Sequence, residues 1–249
     1  MSGARLSSIV RFAFDACHRL RETTTVEEAS LQFVQEMGWL GFDKLTCAGA
    51  PVPGLDPSVT VLLNTRPQAY TDRYVEQGHA FRDPVVTELR RSLTTYSWSD
   101  VRQRRSLTRD ERNIMEEGRE FGMCDGLVIP VVTTTGSLAL VLPCGRNPDL
   151  SAPARSAAEL VGMTGYQALK RLHLLKARIE ENTPERLTPR EREILQWLLV
   201  GKTDDEVGEI LTISRSTVRH HVESAKRKLD THSRPFALAE ALRRGEIAL

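Results

Sequence analysis

Residues 187–229 read LTPREREILQWLLVGKTDDEVGEILTISRSTVRHHVESAKRKL, and capping signals divide this run into helices. Thr188 and Glu191 have the spacing of a capping box, and Pro189 suits the first helical position. Apolar residues follow at helical spacing, namely Ile194, Leu195, Leu198 and Leu199. Gly201 stands where a residue in the left-handed conformation would end this helix.

A second capping box, formed by Thr203 and Glu206, predicts another helix soon after the first. Its apolar face consists of Val207, Ile210 and Leu211. The short segment 212–214 then turns the chain into a third helix, for which Ser214 is the expected N-cap. Two short helices joined by a tight turn are typical of a helix-turn-helix DNA-binding unit.

The third helix has two distinct faces. One narrow stripe, which we expect to face the core, comprises Val218, Val222, Ala225 and Leu229. The opposite side, which we expect to meet the major groove of DNA, comprises Ser216, His220, Glu223 and Arg227. Arg219 and Lys226 lie on its flank, and Arg215 lies nearer the core edge. The candidate DNA-binding residues are therefore Lys202, Arg215, Ser216, Thr217, Arg219, His220, Glu223, Lys226 and Arg227.

Charge is segregated within this segment. Residues 213–234 hold six Lys or Arg against two Asp or Glu, a net charge of +4, whereas residues 202–212 carry a net charge of −3. The whole chain has a formal net charge of only +1, so attraction to DNA phosphates must be local, and we expect DNA binding to be strongly salt-dependent. Capping and charge alone would also fit a small helical protein-binding module with a solvated charged face.

The run resembles the LuxR-type helix-turn-helix, which favours DNA binding. The matching positions are Leu187-Thr188-Pro189-Arg190-Glu191, Leu195, Gly201-Lys202, Glu206-Val207, Ile210-Leu211, Ile213-Ser214, Thr217-Val218, His221-Val222 and Lys228-Leu229. One departure is Gly208, where the family usually has alanine. We expect this glycine to weaken the second helix by up to about 1 kcal/mol.

The length of the chain, 249 residues, is enough for two domains. We expect a first domain over residues 1–181, a linker over 182–187 and the DNA-binding domain over 188–249. The four cysteines are scattered without metal-ligand spacing and are interpreted as reduced, buried thiols. The sequence lacks a signal-peptide pattern and an apolar run of membrane-spanning length, so it predicts a soluble, cytoplasmic protein.

The first domain alternates helical and extended patterns. Helices are predicted at about residues 4–20, 25–37, 67–77, 108–121 and 151–181, with a short helical piece after Pro84, and strands at 42–48, 59–63, 127–132 and 138–142. Helices before, between and after a meander of strands predict an antiparallel sheet covered on both faces. The predicted fold class is α+β: an α-β-α sandwich joined by a short linker to an all-α helix-turn-helix domain.

This first domain resembles the acyl-homoserine-lactone-binding domain of LuxR-type quorum-sensing regulators. The resemblance rests on Tyr70-x3-Tyr74, Asp83-Pro84-Val85, Trp98 and the run Asp125-Gly126-Leu127-Val128-Ile129-Pro130-Val131. It implies a small-molecule autoinducer, an acyl homoserine lactone, and neither a cofactor nor a metal. Asp83 would accept the ligand N–H and Tyr74 would donate to the acyl carbonyl, since an unpaired polar group in an apolar pocket costs about 1–3 kcal/mol. Trp98 would pack on the lactone ring, and Gly126 would let the backbone approach the ligand closely.

Two positions depart from this resemblance. Tyr70 stands where the family usually has tryptophan, whose indole N–H donates to the lactone carbonyl, and a tyrosine hydroxyl donates from a different place. Arg66 stands near a position where an aromatic residue is common. If its side chain points inward, a polar, aryl or non-lactone signal is favoured; if it reaches solvent, it has no bearing on the ligand. The candidate ligand-binding residues are Tyr70, Tyr74, Asp83, Trp98, Gly126 and Arg66.

Taken singly, each of these residues also fits an ordinary structural role, as a turn, a core aromatic or a bend. His79, four residues before Asp83, is expected to be a surface histidine rather than a metal ligand. We find no catalytic constellation in the sequence, which disfavours an enzyme with a regulatory tail. A phosphorylation-controlled response regulator is disfavoured too, because the first 180 residues lack the acidic cluster and alternating βα pattern of a receiver domain.

Two helices carry more apolar residues than their own domain needs, and we expect one of them to form a homodimer seam. The long helix offers Ala154, Ala157, Leu160, Val161, Ala168, Leu169, Leu172 and Leu175, and the last helix, 235–244, offers Phe236, Leu238 and Leu242. A dimer would present two recognition helices to a pseudo-palindromic promoter site, with RNA polymerase as a further partner of an activator. The alternative is a solo regulator that responds to a non-lactone signal or acts without ligand.

Overall fold

Two compact units make up the chain. The first comprises Met1–Val131 with Leu138–Lys176, and the second comprises Val132–Ser137 with Ala177–Leu249. The computed structural model describes residues 3–52, 60–133, 137–180 and 187–248. Most of the predicted linker, residues 182–186, lies outside the described residues. Each unit has its own hydrophobic core.

The first unit combines helices with five short or medium strands in its described part. Its elements are α1 Gly3–Glu22, α2 Val26–Trp39, β1 Lys44–Gly49, β2 Val61–Asn64, α3 Gln68–Glu76, α4 Pro84–Thr87, β3 Tyr96–Ser97, α5 Trp98–Arg104, α6 Arg109–Glu120, β4 Asp125–Val132, β5 Leu138–Gly145 and α7 Ala152–Glu180. The elements β3 and α5 were not predicted from the sequence, because they are too short to show a clear period. The capping box expected at Thr188 is confirmed, Thr108 forms another at the start of α6, and Thr25 caps α2.

The five strands form an antiparallel sheet in the order β2-β1-β5-β4-β3. The strands β1 and β2 pair with each other in antiparallel fashion, but the sheet is not a simple meander, because β1 also pairs with β5 from Lys44 opposite Cys144 to Gly49 opposite Ala139. The first and last parts of the domain are thus joined at the middle of the sheet. This non-local pairing is invisible to sequence periodicity.

Alternating side chains of the central strands enter two separate cores. Leu127 and Ile129 of β4 face the core that α1, α2 and α7 cover, whereas Val128, between them, faces the core that α3 to α6 cover. Successive side chains of a strand point to opposite faces, so both faces of the sheet are buried. The predicted α-β-α sandwich is confirmed. The functional residues predicted in this unit lie mainly on the α3 to α6 side.

The second unit consists of α8 Pro189–Leu199, α9 Asp204–Leu211, α10 Arg215–Lys228 and α11 Arg234–Arg243. Gly201 has φ +91°, as expected for the residue that follows α8, and Thr203 caps α9 with its capping box complete. Ser214 caps α10. Leu187, the last residue of the predicted linker, is only 2% exposed and belongs to this core.

Gly208 has a packing role that its helix propensity does not reveal. A Cβ atom at this position would stand 2.7 Å from the carbonyl oxygen of Ile213, in the turn between α9 and α10. The missing side chain therefore lets the turn close tightly against α9. From the sequence we expected this glycine to weaken the helix through its low helix propensity. The close packing of the turn offsets that cost, because a methyl group at this position would require the turn to shift.

The apolar residues of α7 serve mostly the core of their own unit. Those that are buried include Ala154, Ala157, Ala158, Val161, Tyr166, Ala168, Leu169 and Leu172. Those that remain exposed are Leu160, Met163, Leu174 and Leu175. A dimer seam on this helix would thus use a narrower stripe than the sequence suggested. Within the described ranges, we find no helix that is long and apolar enough to cross a membrane.

Candidate functional site

Five of the predicted ligand-binding residues come together on the α3 to α6 side of the sheet, and we call them the aromatic cluster: Arg66, Tyr70, Tyr74, Asp83 and Trp98. Tyr70 and Tyr74 lie one turn apart on α3, with their ring centroids separated by 5.7 Å. Asp83 is the N-cap of α4, and Trp98 is the first residue of α5. Tyr70, Asp83 and Trp98 are all less than 9% exposed.

The polar centre of the aromatic cluster is a hydrogen bond between Tyr74 and Asp83. The Tyr74 hydroxyl donates to Oδ2 of Asp83 at 2.9 Å, and Oδ1 accepts the backbone N–H of Val85 at 2.8 Å. Burial raises the pKa of the Asp83 carboxyl, while the Tyr74 and Val85 hydrogen bonds and the charge of Arg66 limit that rise. Burial also raises the pKa of Tyr74, so its hydroxyl keeps its proton.

This hydrogen bond restricts what Tyr74 can offer a ligand. Its one O–H is directed to Asp83, so donation to a second acceptor requires the hydroxyl to rotate away from the carboxylate. Each carboxylate oxygen of Asp83 has two lone pairs, so Oδ2 can accept a ligand N–H while it holds Tyr74. The pair therefore favours a ligand that presents a donor to Asp83.

Arg66 points inward. Its Nε donates to Oγ1 of Thr46 on β1 at 2.7 Å, and its guanidinium carbon lies 5.4 Å from the ring centroid of Tyr74 and 5.9 Å from that of Tyr70. These are distances at which a cation interacts with an aromatic face. Of the two orientations that the sequence left open, the structure thus has the one that bears on the ligand.

Trp98 contributes a buried surface with an unused donor. Its side chain packs in the same core as Tyr70 and is 8% exposed. Among the described residues, its indole Nε1 has no hydrogen-bond partner. A buried donor without a partner is costly, and a ligand oxygen is one means of satisfying it.

Gly126 has a different role from the one expected. A Cβ atom there would stand 2.5 Å from the carbonyl oxygen of Pro143 and 2.7 Å from Cβ of Cys144, both on β5. The lack of a side chain thus allows β4 and β5 to approach each other. Since β5 fills this space, the expectation of a backbone approach to the ligand at Gly126 is corrected.

His79 is also corrected, because it is buried rather than on the surface. It is 4% exposed, its Nε2 lies 3.3 Å from Oε2 of Glu117 on α6, and its ring stands edge-on to Tyr74 with centroids 5.5 Å apart. His79 thus forms one wall of the aromatic cluster. Sequence spacing gave no signal for it, since Glu117 lies 38 residues away. The described residues hold no group of three or more metal-ligating side chains.

The candidate DNA-contacting surface is the exposed side of α10. His220, Glu223 and Arg227 are exposed as predicted, and Val218, Val222 and Ala225 are buried on the opposite face. At the start of the helix, the Ser214 hydroxyl caps Thr217 and lies 2.7 Å from the hydroxyl of Ser216. The exposed end of α10 therefore presents hydroxyl groups and backbone N–H groups together, which suits a phosphate.

Most cations of this surface have acidic partners, on α9 or on α10 itself. Arg215 pairs with Asp205 at 3.1 Å, Lys202 with Glu206 at 3.1 Å, and Lys226 with Glu223 at 2.9 Å. The side chain of Arg227 has no hydrogen bond or ion pair with any residue in the described ranges. Its guanidinium is therefore available to DNA at no cost in lost partners, unlike the other three cations.

Arg219 is held by a buried carboxylate. Its Nε lies 3.3 Å from Oδ2 of Asp204. The same carboxylate binds Arg234 of α11 through Oδ1 at 2.7 Å, and Asp204 is 7% exposed. Arg234 and then Arg219 hold the pKa of Asp204 below its usual range. Arg219 thus joins α9 to α10 as well as facing solvent, so it has a structural share that Arg227 lacks.

Comparison with known proteins completes the assignment. A family model described as an autoinducer binding domain matches residues 25–169, and the model of the bacterial regulatory proteins of the luxR family matches residues 185–241. This chain belongs to the LuxR family. The resemblance of both domains to LuxR-type regulators is thus confirmed. The chain is a quorum-sensing transcriptional regulator whose first unit binds a small-molecule autoinducer and whose helix-turn-helix binds DNA.

Relatives of this LuxR-type regulator are similar along most of their length. It is 37% identical over 209 residues to the quorum sensing-dependent regulator RpaR of Rhodopseudomonas palustris, with 84% of each protein covered. It is 31% identical to the transcriptional activator BjaR1 of Bradyrhizobium diazoefficiens, over 94% of this chain and 95% of that protein. The crystal structure of Escherichia coli SdiA, at 22% identity, has a TM-score of 0.72 over 95% of this chain and 98% of that one. That likeness supports the predicted fold class.

Proposed function

We propose that this LuxR-type regulator binds an N-acyl-homoserine lactone, with an acyl, aryl or branched side chain, in the aromatic cluster. The observation that carries the proposal is the buried Tyr74–Asp83 pair, because it sets a carboxylate with a spare lone pair among aromatic rings. The ligand N–H donates to Oδ2 of Asp83. Tyr70 and Trp98 pack on the ring of the ligand and donate to its carbonyl oxygens.

We further propose that a homodimer binds a pseudo-palindromic promoter site, with Arg227 and the hydroxyl-rich start of α10 on the DNA. The exposed stripe of α7 and Phe236 of α11, which is 56% exposed, support a seam between two copies. RNA polymerase is the further partner if the protein activates transcription, and the site of action is the cytoplasm. In this proposal the signal-binding and dimerisation domain spans 1–181, the linker 182–187 and the DNA-binding domain 188–249.

A second candidate function is a solo regulator that responds to a non-lactone signal. The inward orientation of Arg66 favours it, because a lactone has no negative charge to pair with a guanidinium. This candidate keeps the same cluster, the same dimer and the same DNA surface. It differs only in the chemistry of the signal.

The test is the melting temperature of the purified full-length protein with a panel of acyl- and aryl-homoserine lactones. A binding compound raises the melting temperature because stabilisation follows RT ln(1 + [L]/Kd). Asp83→Asn should reduce affinity about tenfold or more, since an amide presents only one acceptor oxygen. The matched control is Asp149→Asn, because Asp149 accepts the backbone N–H of Ser151 at 2.9 Å much as Asp83 accepts that of Val85.

Asp149→Asn should keep the full ligand-induced rise. An equal rise in Asp83→Asn and in the unchanged protein would refute the role of Asp83. A protein that binds DNA but whose melting temperature no acylated compound raises would refute ligand binding in the aromatic cluster altogether.

A further inference from the structure

The guanidinium of Arg66 is anchored at one end and unpaired at the other. Its Nε donates to Thr46, whose own hydroxyl donates to Oδ1 of Asn64 at 3.0 Å, so a short polar chain fixes the direction of the head group. Its two terminal nitrogens make no hydrogen bond to any residue in the described ranges. Two N–H donors on adjacent nitrogens are therefore presented together from a fixed position.

Among the residues that the structure describes, none supplies a counter-charge to Arg66 by direct contact. Asp83 influences Arg66 at longer range, but its oxygens already hold the Tyr74 hydroxyl and the Val85 amide. The faces of Tyr70 and Tyr74 stabilise the cation without using its N–H groups. A half-buried cation in this state is stabilised by any ligand that brings a negative charge.

We infer that the signal of this regulator carries a carboxylate that pairs with Arg66. A carboxylate has two oxygens in the spacing of two parallel guanidinium N–H groups, whereas a lactone carbonyl offers one oxygen and no charge. The chemical class is an acylated or arylated amino acid, of which ring-opened acyl-homoserine is one member. The inference rests on the proposed signal site and deepens the second candidate function, the non-lactone signal, since it names the head group bound beside Tyr70.

The experiment compares three head groups on one acyl or aryl chain: the homoserine lactone, the ring-opened homoserine carboxylate and the neutral homoserinamide. Acylated glycine is added as a carboxylate from another source. Affinity is measured by calorimetry on the full-length protein at mildly acidic pH, where the lactone ring is stable. We expect the ring-opened carboxylate to bind about tenfold or more tightly than the homoserinamide.

Arg66→Met should abolish that preference, and Arg66→Lys should restore part of it, because lysine keeps the charge but not the bidentate geometry. The matched control is Arg104→Met. Arg104 also stands over an aromatic ring, 5.8 Å from the centroid of Tyr96, but it is paired with Glu88 at 3.1 Å. This control should leave the preference for the carboxylate unchanged.

The outcomes separate the inference from the function on which it rests. Lactone binding that equals or exceeds carboxylate binding, with Asp83→Asn still harmful, would overturn the inference and keep the signal site. An equal loss of all three head groups in Arg66→Met would overturn it too, since Arg66 would then be a general donor. Binding of acylglycine as tight as that of acyl-homoserine would support the carboxylate and exclude homoserine as the feature recognised.

Discussion

The exposed face of α10 and the aromatic cluster differ in exposure to solvent and in how far apart their residues lie in the chain. The candidate DNA-binding residues of α10 lie within 13 positions of one helix and are mainly exposed to solvent, and ion pairs to α9 orient two of them, Arg215 and Arg219. The residues of the aromatic cluster come from four separate places between residues 66 and 98 and are mostly buried. The residues of the first site share a face because of the periodicity of one helix, whereas those of the second are brought together only by tertiary packing.

Because the two regions differ in burial, substitutions in them should differ in whether they change function, stability or both. A side chain that is exposed and unpaired, such as Arg227, can be removed without a cavity or a lost partner. A side chain that is buried, such as Trp98, leaves a cavity as well as a lost contact. We therefore expect substitution of an exposed, unpaired residue of α10 such as Arg227 to affect binding alone, and substitutions of buried residues in the aromatic cluster to affect binding and folding together.

The largest effect should follow Trp98→Ala. Truncation of a buried aromatic side chain costs about 3–5 kcal/mol of unfolding free energy, so the first unit should lose a large share of its stability. Calorimetric unfolding of the full-length protein, in which each unit gives its own transition, measures the loss. Trp98→Phe is the control, because it keeps most of the volume and removes an indole N–H that has no protein partner in the described residues.

The unfolding free energy of Trp98→Phe should lie within about 1.5 kcal/mol of that of the unchanged protein. The variant should bind the signal more weakly. The contrast between the two regions would fail if Trp98→Ala unfolded at the same temperature as the unchanged protein. It would be sharpened if Trp98→Phe lost affinity without losing stability, because the indole N–H would then act on the ligand alone.

An intermediate effect should distinguish Arg227→Ala from Arg219→Ala. Loss of one phosphate-binding cation lowers DNA affinity by about 1–1.5 kcal/mol and reduces the slope of log affinity against log salt by about one. Arg227→Ala should do only this. Arg219→Ala should also lower the stability of the second unit by about 1 kcal/mol, because it removes a partner of the buried Asp204.

DNA binding at several salt concentrations, together with calorimetric unfolding, measures both quantities. Equal unfolding temperatures for the two variants would mean that the Asp204 pair has no structural share. Weaker signal binding in Arg227→Ala would contradict the expectation that this substitution affects DNA binding alone.

The smallest effect concerns pH and Glu111. The hydrogen bonds from Arg105, and then those at Thr108, lower the pKa of Glu111 to about 2 from an ordinary 4.5. A lowered folded-state pKa stabilises the protein above the unfolded value, and that stability is lost as pH falls from about 4.5 towards 2. Because Arg105 is partly exposed, solvent screening should keep the contribution within about 1 kcal/mol.

Glu111→Gln should therefore flatten the decline in the first unit's unfolding temperature between about pH 5 and pH 2. Glu206→Gln is the control in the second unit, where a matching capping box lowers the pKa of Glu206 to about 2 through the Thr203 hydrogen bonds and Lys202. It should leave the first unit's decline intact. A Glu111→Gln protein with an unchanged pH profile would remove the capping box from the list of acid-sensitive contacts.

The helix-turn-helix and its charged face could be predicted from local sequence signals, since caps, glycine termini and helix periodicity depend on residues three or four positions apart. The same local signals located most helices and strands, and short motifs indicated the resemblance of both domains to LuxR-type regulators. Tertiary structure decided the inward direction of Arg66, the burial of His79 beside Glu117, the contact of Gly126 with β5 and the pairing of Arg219 with Asp204. Each of these joins residues 15 or more positions apart, and such contacts depend on how the elements pack rather than on any local preference of the chain.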